Sequence, residues 1–161
     1  CKAEFEKGWF EELINDKKNK VGGNKLRSYR TYKSHFCQED YLLNCKNEID
    51  RKNISRLRLS SHRLNIETGR YGINRLEPED RVCHICNTCE DEKHFVINCT
   101  SYNAERKILF DVIGKVHEDF HLLDDVSKFI CIMSSNNTNI VNELGKYITR
   151  CMKIRNNTIL N

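Results

Sequence analysis

The chain has 161 residues, enough for one domain or one domain with an appendage. Its hydrophobic fraction of 39% can build a core, while a charged fraction of 31% and a net charge of +4 demand a wet surface. No apolar run approaches the roughly 18 residues of a membrane span, and the start lacks the pattern of a signal peptide, so neither a membrane span nor secretion is expected.

In chain order, residues 2–16 predict an amphipathic helix, with Phe5, Trp9, Phe10 and Leu13 on one face. Gly22-Gly23-Asn24 breaks the chain. Residues 25–36 predict a second helix, with Leu26, Tyr29, Tyr32 or Lys33, and Phe36 along one side and cations on the others. Residues 38–46 predict a short helix around Tyr41, Leu42 and Leu43. Residues 48–64 predict a longer one, with Ile54, Leu57, Ser61 and Leu64 as its buried stripe. Residues 65–80 carry Gly69, Gly72 and Pro78 and predict irregular chain or a short hairpin. Three further helices are predicted over 101–117, 122–133 and 140–154. They are marked by Ile108, Leu109, Val112, Ile113 and Val116; by Leu122, Val126, Phe129, Ile130 and Met133; and by Ile140, Leu144, Ile148, Cys151 and Met152. The single proline, Pro78, suits a mostly helical chain.

The positive charge is loaded towards the first half. From Lys17 to His35 there are seven basic side chains (Lys17, Lys18, Lys20, Lys25, Arg27, Arg30 and Lys33) and no acid. Eight more follow between Arg51 and Arg81. Arg51, Ser55, Arg58 and His62 share one face of the 48–64 helix, flanked by Lys52, Arg56 and Arg63. Such runs suit a solvated helix face; they equally suit phosphates, where Lys and Arg gain by displacing counterions. On the second reading Lys25, Arg27, Arg30, Lys33, Arg51, Arg58, His62 and Arg63 are the candidate nucleic-acid contacts. Tyr29 and Tyr32 could stack on bases but suit the core as well.

Nine cysteines is an odd number, and four of them, Cys83, Cys86, Cys89 and Cys99, crowd into the stretch Arg81–Tyr102 around His94. A disulfide scaffold would be shorter and more evenly knitted, so a reducing compartment, cytoplasm or nucleus, is expected. A Cys-x2-Cys pair followed by His-x4-Cys is a zinc-ligand pattern, because one tight turn supplies two thiolates and a nearby segment the other two donors. Two frames are open. Cys83, Cys86, His94 and Cys99 give C-x2-C-x7-H-x4-C; Cys86, Cys89, His94 and Cys99 give C-x2-C-x4-H-x4-C, the spacing of a retroviral zinc knuckle. The second needs a very tight loop, where knuckles place glycine and this chain has Glu90, Asp91, Glu92 and Lys93. Those acids look more like the first turn of a helix, which favours the first frame. That helix would carry His94 and Phe95 and should bend or end before Cys99, since five residues of α-helix turn a ligand away from the first one's face.

The run Lys25-Leu-Arg-Ser-Tyr-Arg30, the run Arg56-Leu-Arg-Leu-Ser-Ser-His-Arg-Leu-Asn-Ile-Glu-Thr-Gly-Arg-Tyr71, and Arg81-Val-Cys-x2-Cys with Glu90-Asp-Glu-x-His-Phe-x3-Cys-x2-Tyr102 and Arg106 resemble a known family. It is the C-terminal segment of non-LTR (LINE-type) retrotransposon reverse transcriptases from invertebrates. The tail through Lys128-Phe129 and Lys146-Tyr147-Ile148 to Arg155 is also similar, so the resemblance runs from about Lys25 onward. It implies that Cys83, Cys86, His94 and Cys99 bind zinc (Zn2+) and that Cys89 lies in a variable loop. It also implies that the segment grips template RNA or target DNA beside an upstream polymerase domain of the same polyprotein. The chain opens on Cys1 rather than Met and is expected to be a piece of something longer.

An enzyme is not expected in this segment. Leu122-Leu123-Asp124-Asp125 superficially resembles the Asp-Asp turn of a polymerase palm, but its apolar neighbours repeat at helical spacing and no third carboxylate precedes it. Asp91-Glu92-Lys93 with Asp80 could mimic a nuclease motif, but that site needs a central sheet. A zinc with four protein ligands leaves no position for a catalytic water. The expectation is a mostly α fold with an inserted zinc-binding element: a basic helical region over 1–80, the element over 81–102, and packing helices over 103–161. Its function would be nucleic-acid grip, or alternatively docking on the parent polymerase or a host partner.

Overall fold

The long helix at the C-terminal end is the spine on which the rest packs. In the computed structural model, which describes residues 2–16, 24–73 and 75–159, the helices are α1 (Lys2–Asn15), α2 (Tyr29–Tyr32), α3 (Tyr41–Asn44), α4 (Glu48–Arg58), α5 (Asn65–Thr68), α6 (Asn103–Gly114), α7 (Asp125–Ser134) and α8 (Thr138–Ile159). Short 3-10 turns lie at Pro78–Asp80, Thr100–Tyr102 and Glu118–Leu122. Among the described residues there is no strand, only one isolated bridge between Val82 and Cys89. None of these helices is long and apolar enough to cross a membrane. The fold is mostly helical, with one small irregular element set into it.

Helix α8 presents Ile140, Leu144, Tyr147, Ile148 and Cys151 to the core at helical spacing. Helices α4 and α6 lie along it. Gly145 permits the close approach of α4: a Cβ there would stand 2.6 Å from Cβ of Asp50. Ile54 and Leu57 of α4, Phe95 and Cys99 of the element, and Leu109 and Ile113 of α6 share one continuous core with α8. The regions 1–80, 81–102 and 103–161 are therefore built around the same interior.

Several predicted helices end early, for visible reasons. Helix α4 stops at Arg58 because Ser60 takes a left-handed backbone, φ 51°; the chain then turns, leaving Ser61 exposed while Leu64 is buried. Its start is capped by Asn47, whose side chain accepts from the Asp50 N–H at 3.0 Å. The predicted helix over 25–36 is a turn followed by the single helical turn α2. Among the described side chains of α1 only Leu13 is buried; Phe5 and Phe10 stay exposed, and Phe5 and Trp9 lean on Phe36, with ring centres 5.2 and 5.5 Å apart. Leu122 and Val126, expected inside, are exposed, and Asp124 caps α7 by accepting from the N–H groups of Val126 and Ser127 at 2.8 and 3.0 Å.

Candidate metal centre

The turn from Cys83 to Cys86 is built like a knuckle. Asn87 N–H donates to the Cys83 carbonyl at 2.9 Å, Asn87 itself is left-handed at φ 52°, and Cys83 N–H returns to Thr88 O at 2.7 Å. Two thiols on such a turn face the same side. The second half of the site comes from a single helical excursion. Asp91 starts it: its carboxylate accepts from the His94 N–H at 2.7 Å and its carbonyl from Phe95 N–H at 3.0 Å. The backbone then widens into one π turn over His94–Asn98, closed by the Cys99 N–H on the His94 carbonyl at 2.8 Å.

These two pieces bring Cys83, Cys86, His94 and Cys99 together. One ligand atom from each lies within 4.8 Å of all the others. Sγ of Cys99 is 3.9 Å from Sγ of both Cys83 and Cys86. That is far from a disulfide bond, and it is close to the ~3.8 Å separation that two sulfurs adopt at about 2.3 Å from one tetrahedral zinc. The imidazole is oriented for the same purpose. Its Nδ1 meets the Thr88 hydroxyl at 3.2 Å, while its Nε2 is buried and has no hydrogen-bond partner. A buried ring nitrogen among three sulfurs is what a missing ligand bond leaves behind, and a hydrogen bond on the far nitrogen is the usual support of a metal-bound imidazole. Burial pushes the His94 imidazole below its ordinary value, which keeps the ring neutral, and pushes the Cys99 thiol up to about 12. The donor set of three sulfurs and one nitrogen fits a metal ion.

Cys89 stands apart. It is exposed, on the far side of the Val82 bridge, with Sγ turned towards the Pro78 carbonyl at 3.9 Å. The cluster is the one formed by the first of the two frames.

The acids between the ligands do more than start a helix. Glu90 is buried and receives both Nε and an Nη of Arg155 at 2.7 Å, and the Asn65 N–H at 2.6 Å. Glu92, at 0% exposure, receives Arg27 at 2.6 Å, the Ser28 hydroxyl at 2.7 Å, the Ser60 hydroxyl at 3.1 Å and His62 Nε2 at 2.7 Å. Nδ1 of His62 accepts from Leu64 N–H, so Nε2 carries the hydrogen it donates. Burial alone would raise the Glu92 carboxyl, but the His62 hydrogen bond and the Arg27 charge hold it at about 2. Glu90 thus ties the cluster to α8, and Glu92 ties it to the segments before and after α4. Neither role, nor that of Arg155, is visible in local periodicity. The only hint in the sequence is that these acids interrupt a loop where a free-standing knuckle has glycine.

Most of the predicted nucleic-acid contacts are engaged inside the fold, by this network and by others. Arg27 bridges Glu67 and Glu92, and Arg30 pairs with Asp16 at 3.0 Å. Lys33 is buried on Glu39 at 2.7 Å. Arg51 donates to the Cys45 carbonyl at 2.8 Å. Arg58, expected on an exposed stripe, is 6% exposed: it bonds Glu39 and the Met133 carbonyl and lies 4.6 and 4.8 Å from the ring centres of Tyr32 and Tyr41. Tyr29 and Tyr32 are partly buried around it. His62 is bound to Glu92. Lys25 is half-buried, and its carbonyl accepts from Ser60. The expected face turns inward because the tyrosine rings and Glu39 offer a guanidinium more than water does once α4 packs on α2. Arg63 remains exposed, as do Lys52 and Arg56. Lys17, Lys18 and Lys20 lie outside the described residues.

Comparison of the chain with protein-family models, with curated proteins and with solved structures finds no match.

Proposed function

We propose that this chain is a zinc-clamped nucleic-acid-binding module, the C-terminal part of a LINE-type reverse transcriptase that grips template RNA or target DNA. The observation that carries it is the convergence of Cys83, Cys86, His94 and Cys99 within 4.8 Å, in the very frame that the resemblance implies. Zinc would supply charge and four directed bonds, holding in place a segment too small to fold alone. Cys83 and Cys86 would hold it from the turn, His94 and Cys99 from the π turn. The ion would be structural, since the four protein donors fill its coordination. Lys52, Arg56 and Arg63, exposed and without a carboxylate partner among the described residues, support the nucleic-acid part. In this reading the protein works inside the cell, in nucleus and cytoplasm, beside its own polymerase domain, and does no chemistry of its own.

A second reading has an observation behind it. Phe5, Phe10 and Phe36, grouped around Trp9, leave apolar rings exposed beside α1, which suits docking on the parent polymerase or another protein. Fluorescence anisotropy with a labelled RNA hairpin over a salt series separates the two. Binding at micromolar concentration or tighter that weakens steeply with salt supports grip; no binding at low salt overturns it in favour of docking.

A further inference from the structure

We infer that the groove between α4 and α8 seats a single strand of nucleic acid. Phosphates would lie on Arg56, Arg63 and Lys153, and an unpaired base on the apolar floor of Ile49 and Met152. The inference rests on the nucleic-acid reading above and gives it a location.

The groove encloses about 460 Å³ and is walled by α4, the turn after it, and α8. No acid lines it. Its three outer cations are exposed, and none is paired with a carboxylate among the described residues. Other surface cations, such as Arg75, Lys107 and Lys115, are also exposed, but these three border one concavity with no acid in its lining. Arg27, Arg30, Arg58, Arg150 and Arg155 are each neutralised by an acid, and Arg51, Arg81 and Arg106 donate to backbone carbonyls. The fold uses most of its guanidinium groups internally, and two of those it leaves open, Arg56 and Arg63, border one concavity together with Lys153. Bringing unpaired like charges together costs free energy unless an anion joins them, so the arrangement suits a polyanion.

The interior of the groove selects the form of that polyanion. Ile49 is 64% exposed beside the half-buried Met152, so the groove offers an open apolar surface that a flat ligand face could cover. Around it the polar atoms are already ordered: Asn53 donates to the Thr149 hydroxyl at 2.9 Å, and Thr149 donates to the buried Asp50 at 2.6 Å. Asn156 is exposed on the same wall and can meet a base edge. A duplex keeps its bases stacked inside and would present only phosphates to this concavity. A single strand can place a base on the floor while its backbone tracks the rim. Nothing in the groove reads a particular base, so little sequence preference is expected.

The test uses the zinc-loaded chain with labelled single-stranded and duplex oligonucleotides of mixed sequence, followed by anisotropy across salt. The groove variant carries Arg56→Gln, Arg63→Gln and Lys153→Gln; the control carries Lys107→Gln and Lys115→Gln, exposed cations of and beyond α6. Circular dichroism and zinc content verify that both remain folded. For single strands the groove variant should lose most of its affinity, and its log–log salt slope should fall by about 2, near 0.7 per lost phosphate contact. The control should match the wild type. A second variant, Ile49→Ser with Met152→Ser, should weaken single strands while leaving any duplex binding unchanged. If the wild type binds but the groove variant binds equally well, the groove assignment is overturned and the nucleic-acid reading survives. If duplex binds as tightly as single strand and the serine variant has no effect, the single-strand assignment is overturned. If the wild type binds neither, both fall together.

Discussion

His94 and Cys99 are five residues apart and face the same point. In an α-helix five steps of about 100° would leave them roughly 140° apart around the axis. Here the Cys99 N–H bonds the His94 carbonyl at 2.8 Å and the backbone widens into a single π turn. Such turns are rare and are frequent at functional sites. As the x4 spacing requires, the helix ends at Asn98, before Cys99, and its widening into a π turn returns Cys99 to the side of His94.

The site makes a simple claim about cysteines. On the zinc proposal, protein with Cys83→Ser should purify without metal, and protein with Cys89→Ser should carry as much zinc as the wild type, measured by elemental analysis. Chelation of the wild type should also melt the element. Phe95, Val96 and Ile97 lie buried on the clipped segment, so near-ultraviolet dichroism should change when the ion is removed. Equal zinc loss in both serine variants would sink the assignment.

Glu92 gathers Arg27, His62, Ser28 and Ser60 without exposure to water. Removing that carboxylate leaves Arg27 on Glu67 alone and takes the shared acceptor from Ser28, Ser60 and His62, and breaking a buried pair typically costs about 3–5 kcal/mol. Glu92→Ala should therefore lower the urea midpoint strongly while the four metal ligands remain in the sequence. A cost within the range of an ordinary surface substitution would mean that Glu67 alone suffices for Arg27.

Glu39 supplies a pH test away from the metal ligands. Burial alone would raise its carboxyl, but hydrogen bonds from Lys33 and Tyr29 and the charge of Arg58 outweigh that and hold it below the ordinary 4.5. A carboxyl depressed in the folded state contributes stability that is present above its unfolded value and is lost as pH falls through its folded value. The stability gap between wild type and Glu39→Gln should be widest at neutral pH and should close as pH drops below about 4.5. Denaturant midpoints of both proteins across pH measure it; a gap that widens in acid contradicts the pairing.

Gly145 offers a steric test. A methyl group there would meet Cβ of Asp50 at 2.6 Å, backbone-near atoms of a buried residue that cannot swing aside. Gly145→Ala should push α4 from α8 and cost about 1–3 kcal/mol. Gly114→Ala, where nothing stands within 4 Å, should be neutral or gain up to about 1 kcal/mol. In thermal melts Gly145→Ala should fall below the wild type while Gly114→Ala should match or exceed it.

The sequence by itself determined the helical class and most of the inward row of α8, and it narrowed the cluster to two ligand frames, of which the folded geometry brings together the first. All of these are written in short-range spacing, whose periods the backbone imposes. It could not determine which cations face water. Arg58 and Arg56 sit two residues apart on α4, both arginine; one is buried under tyrosine rings beside Glu39 and the other is open on the groove. That difference depends on partners 19 residues away in the chain for Arg58, and 65 residues away for Arg27 and Glu92. Only the folded arrangement, where desolvation favours pairing, decides which charges are used up inside and which are left at the surface.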